Sequence, residues 1–181
     1  MEPIFKLNLP PLDQVLLESK LSILNHGKHH PIYRNYHSNE LFKPEWINFL
    51  NYNWDIALHF YKPTNFIGRI HTDSTNPEIK PWGINWISGG NGTMSHWNFS
   101  TLPDPTIFVD ECGFLIHRYY DSTDIPPDYN YHMTPGAYLV NATLPHRPTS
   151  LGQRHCISLR SSSGSRLDWE NAVELFKNFI I

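Results

Sequence analysis

The chain has 181 residues, a mass of 21.1 kDa and a net charge of −3 with its histidines neutral. A hydrophobic share of 40% suffices for one core, and lysine and arginine do not cluster, so a nucleic-acid-binding surface is not expected. Two cysteines are too few for a disulfide framework, and neither a signal peptide nor an apolar stretch of membrane-spanning length is recognisable. We therefore expect one cytoplasmic domain, residues 1–181, with an oligomeric state that the sequence leaves open.

Helices are predicted at both ends of the chain. Apolar residues at helical spacing predict a helix over residues 12–25, and Pro44 indicates a second one from about residue 43 to 52. Residues 1–54 are thus expected to be a helical N-terminal support. Residues 165–181 are predicted to form an amphipathic helix, whose packing residues would be Trp169, Val173, Leu175, Phe176 and Phe179.

Residues 55–160 predict a β-rich core. Short runs of Ile, Val, Phe, Tyr and Trp are separated by Gly, Pro, Asn and Asp. Residues 89–92 (Gly-Gly-Asn-Gly) predict a hairpin turn, and residues 121–135 an irregular lid or rim loop. Strands flanked by helices indicate a mainly β antiparallel barrel or jelly roll, braced by N- and C-terminal helices. The predicted strands are 56–61, 66–71, 82–88, 93–98, 106–110, 113–119, 136–144 and 155–159.

Two histidines and an aspartate suggest a metal site. His71 and Asp73 are two residues apart, so both point to one face if they lie in a strand. His146 follows the predicted strand 136–144 and could supply a third ligand from across the barrel. Such a set occupies one face of an octahedral ion and leaves three positions open, which suits ferrous iron that binds a co-substrate and dioxygen. These three residues are the predicted metal ligands and catalytic residues.

A second group of residues is predicted to bind the co-substrate. The guanidinium of Arg154 matches a carboxylate bidentately and would bind the far end of a 2-oxo acid. Ser158 would point to the same side of the strand, as would Arg160, which is the alternative anchor. Asn85 and Asn141 are amides in predicted strands; each either contacts the co-substrate or is a satisfied polar group of the barrel.

Four further residues next to these motifs are predicted to have other roles. Trp86 and Trp97 are expected in the core. His96 and His155 flank the motif segments, and because adjacent strand positions face opposite ways, both are expected to point outward or to lie behind the ligands.

The order and spacing of these residues resemble the iron(II)- and 2-oxoglutarate-dependent oxygenase superfamily, whose motif is His-x-Asp/Glu, a distal His and then an Arg or Lys. Residues 154–158 (Arg-His-Cys-Ile-Ser) resemble the arginine strand of its phytanoyl-type and prolyl-hydroxylase-type branches. Residues 82–86 and 92–97 are similar to paired strands of small microbial and phage members. The positions that match the motif are His71, Asp73, His146 and Arg154.

This resemblance, over residues 66–160, implies a double-stranded β-helix fold and an enzyme that uses Fe(II), 2-oxoglutarate and O2. In such enzymes decarboxylation of 2-oxoglutarate to succinate and CO2 is coupled to oxidation of a substrate. Halogenating relatives lack the carboxylate ligand, so Asp73 favours hydroxylation, with desaturation as a minor outcome. The expected substrate is a free amino acid or a peptide side chain, because a chain of this size leaves little protein beyond the barrel to bind a large partner.

Two alternatives remain open. The first is a cupin-like metal enzyme with the same ligands that does not use 2-oxoglutarate, although cupins usually combine two closely spaced histidines with a later Glu. The second is a non-enzymatic β-sandwich binding module, which predicts that His71 and Asp73 are loop residues with no metal between them.

Overall fold

The computed structural model describes residues 1–17, 33–73, 81–109, 116–120, 124–161 and 167–181. The described α-helices are Leu12–Val15 (α1), Ser38–Leu41 (α2), Pro44–Phe49 (α3) and Trp169–Phe176 (α4), and short 3-10 helices span Phe99–Thr101 and Lys177–Phe179. The described strands are Ile4–Leu7 (β1), Tyr33–His37 (β2), Ile56–Lys62 (β3), Phe66–Ile67 (β4), Ile70–Thr72 (β5), Trp82–Gly89 (β6), Gly92–His96 (β7), Thr106–Val109 (β8), Ile116–Tyr120 (β9), Tyr129–Met133 (β10), Gly136–Asn141 (β11), His146–Ser150 (β12) and Arg154–Arg160 (β13).

The strands form two antiparallel sheets. The larger sheet has the order β1-β11-β6-β13-β3-β2, and the smaller has the order β10-β7-β12-β5-β9-β8, with β4 paired to β12. Successive strands alternate between the sheets from β5 to β7 and again from β10 to β13. This alternation of antiparallel strands is that of a jelly roll, and the protein has the predicted double-stranded β-helix fold.

The larger sheet is covered on both faces. On its outer side Trp86 packs in one core with Leu12 of α1 and Phe176 of α4. On its inner side Ile87 packs with Met94 of the smaller sheet. Because both faces of β6 are covered, its residues from Trp82 to Ile87 are all buried, as in the central strand of a sandwich. Trp97 is also buried, so both tryptophans predicted for the core lie in it.

The N-terminal segment differs from its predicted helical form. β1 pairs with β11 and β2 pairs with β3, so the segment contributes both edge strands of the larger sheet. The first helix ends at Val15, because Leu16 is extended and bridges to Phe42. Residues 18–25 of the predicted helix lie outside the described residues. The second predicted helix is confirmed as α3, which has Pro44 in its first turn.

Each predicted strand corresponds to β-structure, with different ends. The strand predicted over 66–71 is interrupted and becomes β4 and β5. The strand predicted over 136–144 ends at Asn141, and the one predicted over 93–98 ends at His96. Residues 110 and 113–115 lie outside the described residues. Segment 121–135 was predicted to be irregular, yet β10 lies within it and pairs with β7.

The glycine-rich turn at residues 89–92 is not the predicted hairpin. β6 belongs to the larger sheet and β7 to the smaller, so this turn carries the chain from one sheet to the other. Gly89 has a φ of 93°, which suits glycine. Gly90 N donates to Gln153 O at 2.7 Å, and Leu151 N donates to Asn91 O at 2.8 Å, so the turn packs on the connection between β12 and β13.

The C-terminal helix is confirmed as α4. Asp168 caps it, since its Oδ1 accepts a hydrogen bond from Asn171 N at 2.9 Å. Trp169 and Phe176 are buried against the larger sheet, whereas Leu175 is 36% exposed and does not pack as predicted. Within the described part of the chain, no helix combines the length and the apolar character needed to cross a membrane.

Candidate metal centre

The three predicted metal ligands meet where two neighbouring strands of the smaller sheet come together. His71 lies in β5, Asp73 follows that strand, and His146 is the first residue of β12, directly opposite His71. A turn places His146 there: Asn141 Oδ1 accepts a hydrogen bond from Thr143 N at 3.0 Å, which ends β11 before the chain enters β12. His146 therefore begins a strand of its own instead of following the end of a longer β11.

The side chains of these residues converge on one point. Asp73 Oδ1 lies 3.5 Å from His71 Nε2 and 3.6 Å from His146 Nε2. One ligand atom from each residue lies within 4.8 Å of the others. Cis ligands of an octahedral ion with bonds near 2.1 Å are about 3 Å apart, so an ion would shorten each of the two distances from Asp73 by about half an ångström. The group could hold a metal ion.

Both imidazoles turn the same nitrogen, Nε2, toward Asp73 Oδ1. His71 Nδ1 is 2.9 Å from Arg69 O, and His146 Nδ1 is 2.9 Å from Leu144 O. A carbonyl oxygen only accepts, so Nδ1 is the donor in each ring, and in a neutral ring Nε2 then carries the lone pair that a metal ion would use. Burial lowers the pKa of His146 to about 4, although the Asp73 carboxylate raises it, so the ring is neutral near pH 7.

Arg160 binds the other oxygen of the aspartate. Its Nη1 is 2.7 Å from Asp73 Oδ2, and its Nε donates to Ser158 Oγ at 2.9 Å. Ser158 was predicted to act beside Arg154, but its hydroxyl accepts this hydrogen bond from Arg160. Gly83 leaves space for this arginine, since a Cβ at Gly83 would lie 3.1 Å from Arg160 Cγ.

A second group of charges lies between the sheets at the other end of β13. Arg154 is 1% exposed, and its Nε and Nη1 have no hydrogen-bond partner among the described residues. A Cβ at Gly92 of the smaller sheet would lie 2.8 Å from Arg154 Nη1, so the guanidinium reaches across the interior. Lys62 stands opposite Arg154 in β3, and its Nζ is 4.6 Å from the centroid of the Phe66 ring.

The charge at this second position favours an anion. Burial lowers the pKa of Lys62 to about 8; Cys156 opposes this effect, and the neighbouring Arg154 adds to it. A buried guanidinium with unpartnered N–H groups costs free energy unless a ligand satisfies it. A carboxylate is the ligand that its planar fork matches.

The two asparagines predicted at the site have different surroundings. Asn85 is buried opposite Ser158, and its Oδ1 has no hydrogen-bond partner in the described part of the chain. Asn141 uses its Oδ1 for the turn after β11. Among the predicted co-substrate residues, Arg154 and Asn85 therefore have polar atoms still to be satisfied, whereas Ser158 and Asn141 have polar atoms in internal hydrogen bonds.

His96 lies next to His146, one of the predicted ligands. It is buried opposite His146 in β7, with ring centroids 5.7 Å apart, and its Nε2 lies 3.3 Å from Asn141 O. Burial lowers its pKa to about 4. Of the two placements predicted for His96, outward or behind the ligands, the structure shows the second, because the pairing of β7 with β12 buries this strand end. His155 does face away from the interior, and its Nδ1 is 3.1 Å from His59 Nε2.

No family model and no curated protein matches this chain. Similar solved structures are the coconut allergen cocosin (11% identity, TM-score 0.44, 76% of this chain and 27% of that one), an uncharacterized conserved protein with a double-stranded β-helix domain from Klebsiella pneumoniae (8%, 0.42, 88% and 92%) and the DMSP lyase DddQ from Ruegeria pomeroyi (10%, 0.35, 72% and 47%). The chain spans about a quarter of the length of cocosin. Likenesses this distant say nothing about the activity of this chain.

Proposed function

We propose that this protein is a metal-dependent enzyme and, more specifically, an iron(II)- and 2-oxoglutarate-dependent dioxygenase that hydroxylates an amino acid or peptide side chain. The observation that carries the proposal is the convergence of His71, Asp73 and His146, whose ligand atoms, one from each residue, lie within 4.8 Å of one another. Two imidazoles and one carboxylate on one face are the ligand set of non-haem iron oxygenases.

Two groups of residues would have separate roles in this function. His71, Asp73 and His146 would hold the ion and leave its opposite face open. When bound, iron would supply the activation of dioxygen and of the 2-oxo acid. Buried apolar residues between the sheets, including Ile87 and Met94, would help to exclude water from the reaction.

Arg154 is the proposed anchor for the far carboxylate of 2-oxoglutarate. Its Nε and Nη1 are buried and unpartnered among the described residues, whereas Arg160 is engaged with Asp73. Lys62 lies on the neighbouring strand and adds a second positive charge. These observations support Arg154 over Arg160 for this role.

A cupin-like metal enzyme that does not use 2-oxoglutarate is the second candidate. It is favoured by the internal hydrogen bonds of Ser158 and Asn141, because two of the four predicted co-substrate contacts are then already occupied. The third candidate, a non-enzymatic binding module, predicts that His71 and Asp73 share no metal site. It does not explain why the ligand atoms of His71, Asp73 and His146 lie within 4.8 Å of one another.

Anaerobic reconstitution with iron(II) tests the proposal. Adding 2-oxoglutarate should change the absorption spectrum of the bound iron, and exposure to oxygen with a panel of amino acids and peptides should add one oxygen atom to a substrate together with succinate. Asp73→Ala should abolish both effects, and the exposed Asp104→Ala is the control. Iron binding without any response to 2-oxoglutarate would favour the second candidate. Failure to bind iron would overturn both.

A further inference from the structure

Arg160 lies where it can decide how Asp73 binds a metal. We propose that Arg160 is a positioning residue that restricts Asp73 to binding the ion through one oxygen, Oδ1, and that Ser158 orients Arg160 for this task. This inference rests on the metal site proposed above and concerns the number of positions that the protein leaves open on the ion.

The two oxygens of the Asp73 carboxylate have different surroundings. Oδ1 of Asp73 lies 3.5 and 3.6 Å from the two histidine Nε2 atoms, whereas Oδ2 accepts from Arg160 Nη1 at 2.7 Å. A charge-assisted bond of that length is among the stronger hydrogen bonds in proteins. An unrestrained carboxylate could turn both oxygens toward an ion and occupy a fourth position. Held by Arg160, it occupies one, and three positions stay open.

Arg160 is itself held in place. Its Nε donates to the fully buried Ser158, two residues earlier on the same side of β13. The side chain lies over Gly83 of the neighbouring strand, where a Cβ would approach its Nε to 3.4 Å. Its side chain is 15% exposed, so solvent screens the pair with Asp73 only in part. The guanidinium is thus held through Nη1 by Asp73 and through Nε by Ser158.

The charge of Arg160 and its proposed positioning role have opposite effects on metal binding. A positive guanidinium beside a cation site repels the cation, so by charge alone removing Arg160 would tighten metal binding. A positioning role predicts the reverse, because loss of a group that orients a ligand commonly weakens metal affinity by about 10- to 100-fold. The two roles therefore predict opposite changes for the same substitution.

The experiment is a cobalt(II) titration of the metal-free protein, followed by visible absorption, which reports both affinity and coordination number. We expect Arg160→Gln to bind cobalt at least tenfold more weakly than the unaltered protein and with an altered spectrum. Arg160→Lys keeps the charge but cannot reach both Asp73 and Ser158 as a planar fork, so it should also weaken binding. Ser158→Ala should weaken binding less. Lys177→Gln removes an exposed charge on the C-terminal 3-10 helix and should change nothing.

Equal or tighter binding of cobalt by Arg160→Gln, with an unchanged spectrum, would overturn the inference. Urea unfolding of each metal-free variant separates lost binding from lost structure. If Arg160→Gln does not fold, Arg160→Lys and Ser158→Ala decide the question by the same readouts. If the unaltered protein binds no cobalt, the proposed metal site fails and this inference fails with it. If the unaltered protein binds cobalt and the variants bind it equally well, only this inference fails.

Discussion

At the scale of single residues, Arg154 is the feature that packing alone explains least. Its charge lies between the two sheets with Nε and Nη1 unpartnered among the described residues. An apolar side chain of similar volume avoids that loss of solvation, so we expect Arg154→Met to raise the free energy of unfolding of the metal-free protein by about 1–4 kcal/mol. The same change should weaken 2-oxoglutarate binding at least tenfold, about 1.4 kcal/mol. Urea unfolding and calorimetry measure the two effects.

Lys177→Met, at an exposed lysine, is the control for both measurements and should leave them as they are. A less stable Arg154→Met protein that binds 2-oxoglutarate as tightly as the unaltered one would show that this arginine supports the fold instead of a ligand.

Lys62 provides a prediction about pH. Its pKa is lowered to about 8, chiefly by burial, so about half of these side chains are neutral at pH 8. A carboxylate bound beside Lys62 would raise that pKa, so binding of 2-oxoglutarate at pH 8 should take up about half a proton. Affinity should be constant below pH 8 and should fall as the pH rises above it. Calorimetry in buffers of different ionisation enthalpy counts the protons.

Lys62→Met should remove this proton uptake, and Lys177→Met should retain it. Release of protons, or no exchange at all in the unaltered protein, would place the carboxylate away from Lys62.

The metal ligands could be proposed from the sequence because residue type and spacing carry their chemistry. His71 and Asp73 share a face in any strand, and His146 and Arg154 follow in the expected order. The ion pair of Arg160 with Asp73 could not be predicted, because it depends on where strands of two different sheets end relative to each other. The carbonyl contacts of the two histidines depend on the same local ends.

At the scale of elements, connections were harder to predict than strands. β6 and β13 are long runs of buried residues that the pattern identifies. β12 (His-Arg-Pro-Thr-Ser) has no apolar run and contains Pro148; it is a strand because β7 and β5 pair on its two sides. The turn at 89–92 permits a hairpin by composition, but long-range pairing assigns its flanking strands to different sheets. Local sequence does not contain that information.

This turn yields a prediction for its first glycine. Gly89 has a φ of 93°, and a Cβ there would lie 2.4 Å from Gln153 O. Gly136 also has a positive φ, 143°, but a Cβ there would come no closer than 3.6 Å to Lys6. Gly89→Ala should therefore lower the free energy of unfolding by about 3 kcal/mol and Gly136→Ala by about 1 kcal/mol. Urea unfolding measures both, and equal losses would contradict the close contact at Gly89.

Gly89→Ala has a second expected effect. Gly89 stands opposite Arg154 in the neighbouring strand, so a shift of the turn would displace the guanidinium. Binding of 2-oxoglutarate should weaken in Gly89→Ala and stay unchanged in Gly136→Ala, because Gly136 lies in β11, which β6 separates from the strand of Arg154.

At the scale of the whole molecule, the fold brings together residues that are distant in sequence. His71 and His146 are 75 positions apart and become direct neighbours because β5 and β12 pair. Arg154 and Arg160 lie at opposite ends of β13 in the facing sheet, so one strand supplies both the group beside Asp73 and the buried cation. The β-rich centre and C-terminal helix were predictable from residue patterns, whereas the role of the N-terminal segment as edge strands was not, because edge strands carry a weak apolar pattern.

The most direct test of the account is equilibrium dialysis of the metal-free protein against iron(II) without oxygen, with metal content measured per chain. We predict one iron per chain, and a rise in the free energy of unfolding of about 2.7 kcal/mol when free iron is at about 100 times its dissociation constant. Asp73→Ala and His146→Ala should lose the bound iron, and Asp104→Ala should keep it. Sub-stoichiometric binding by the unaltered protein, or full binding by Asp73→Ala, would contradict the assignment of the metal site.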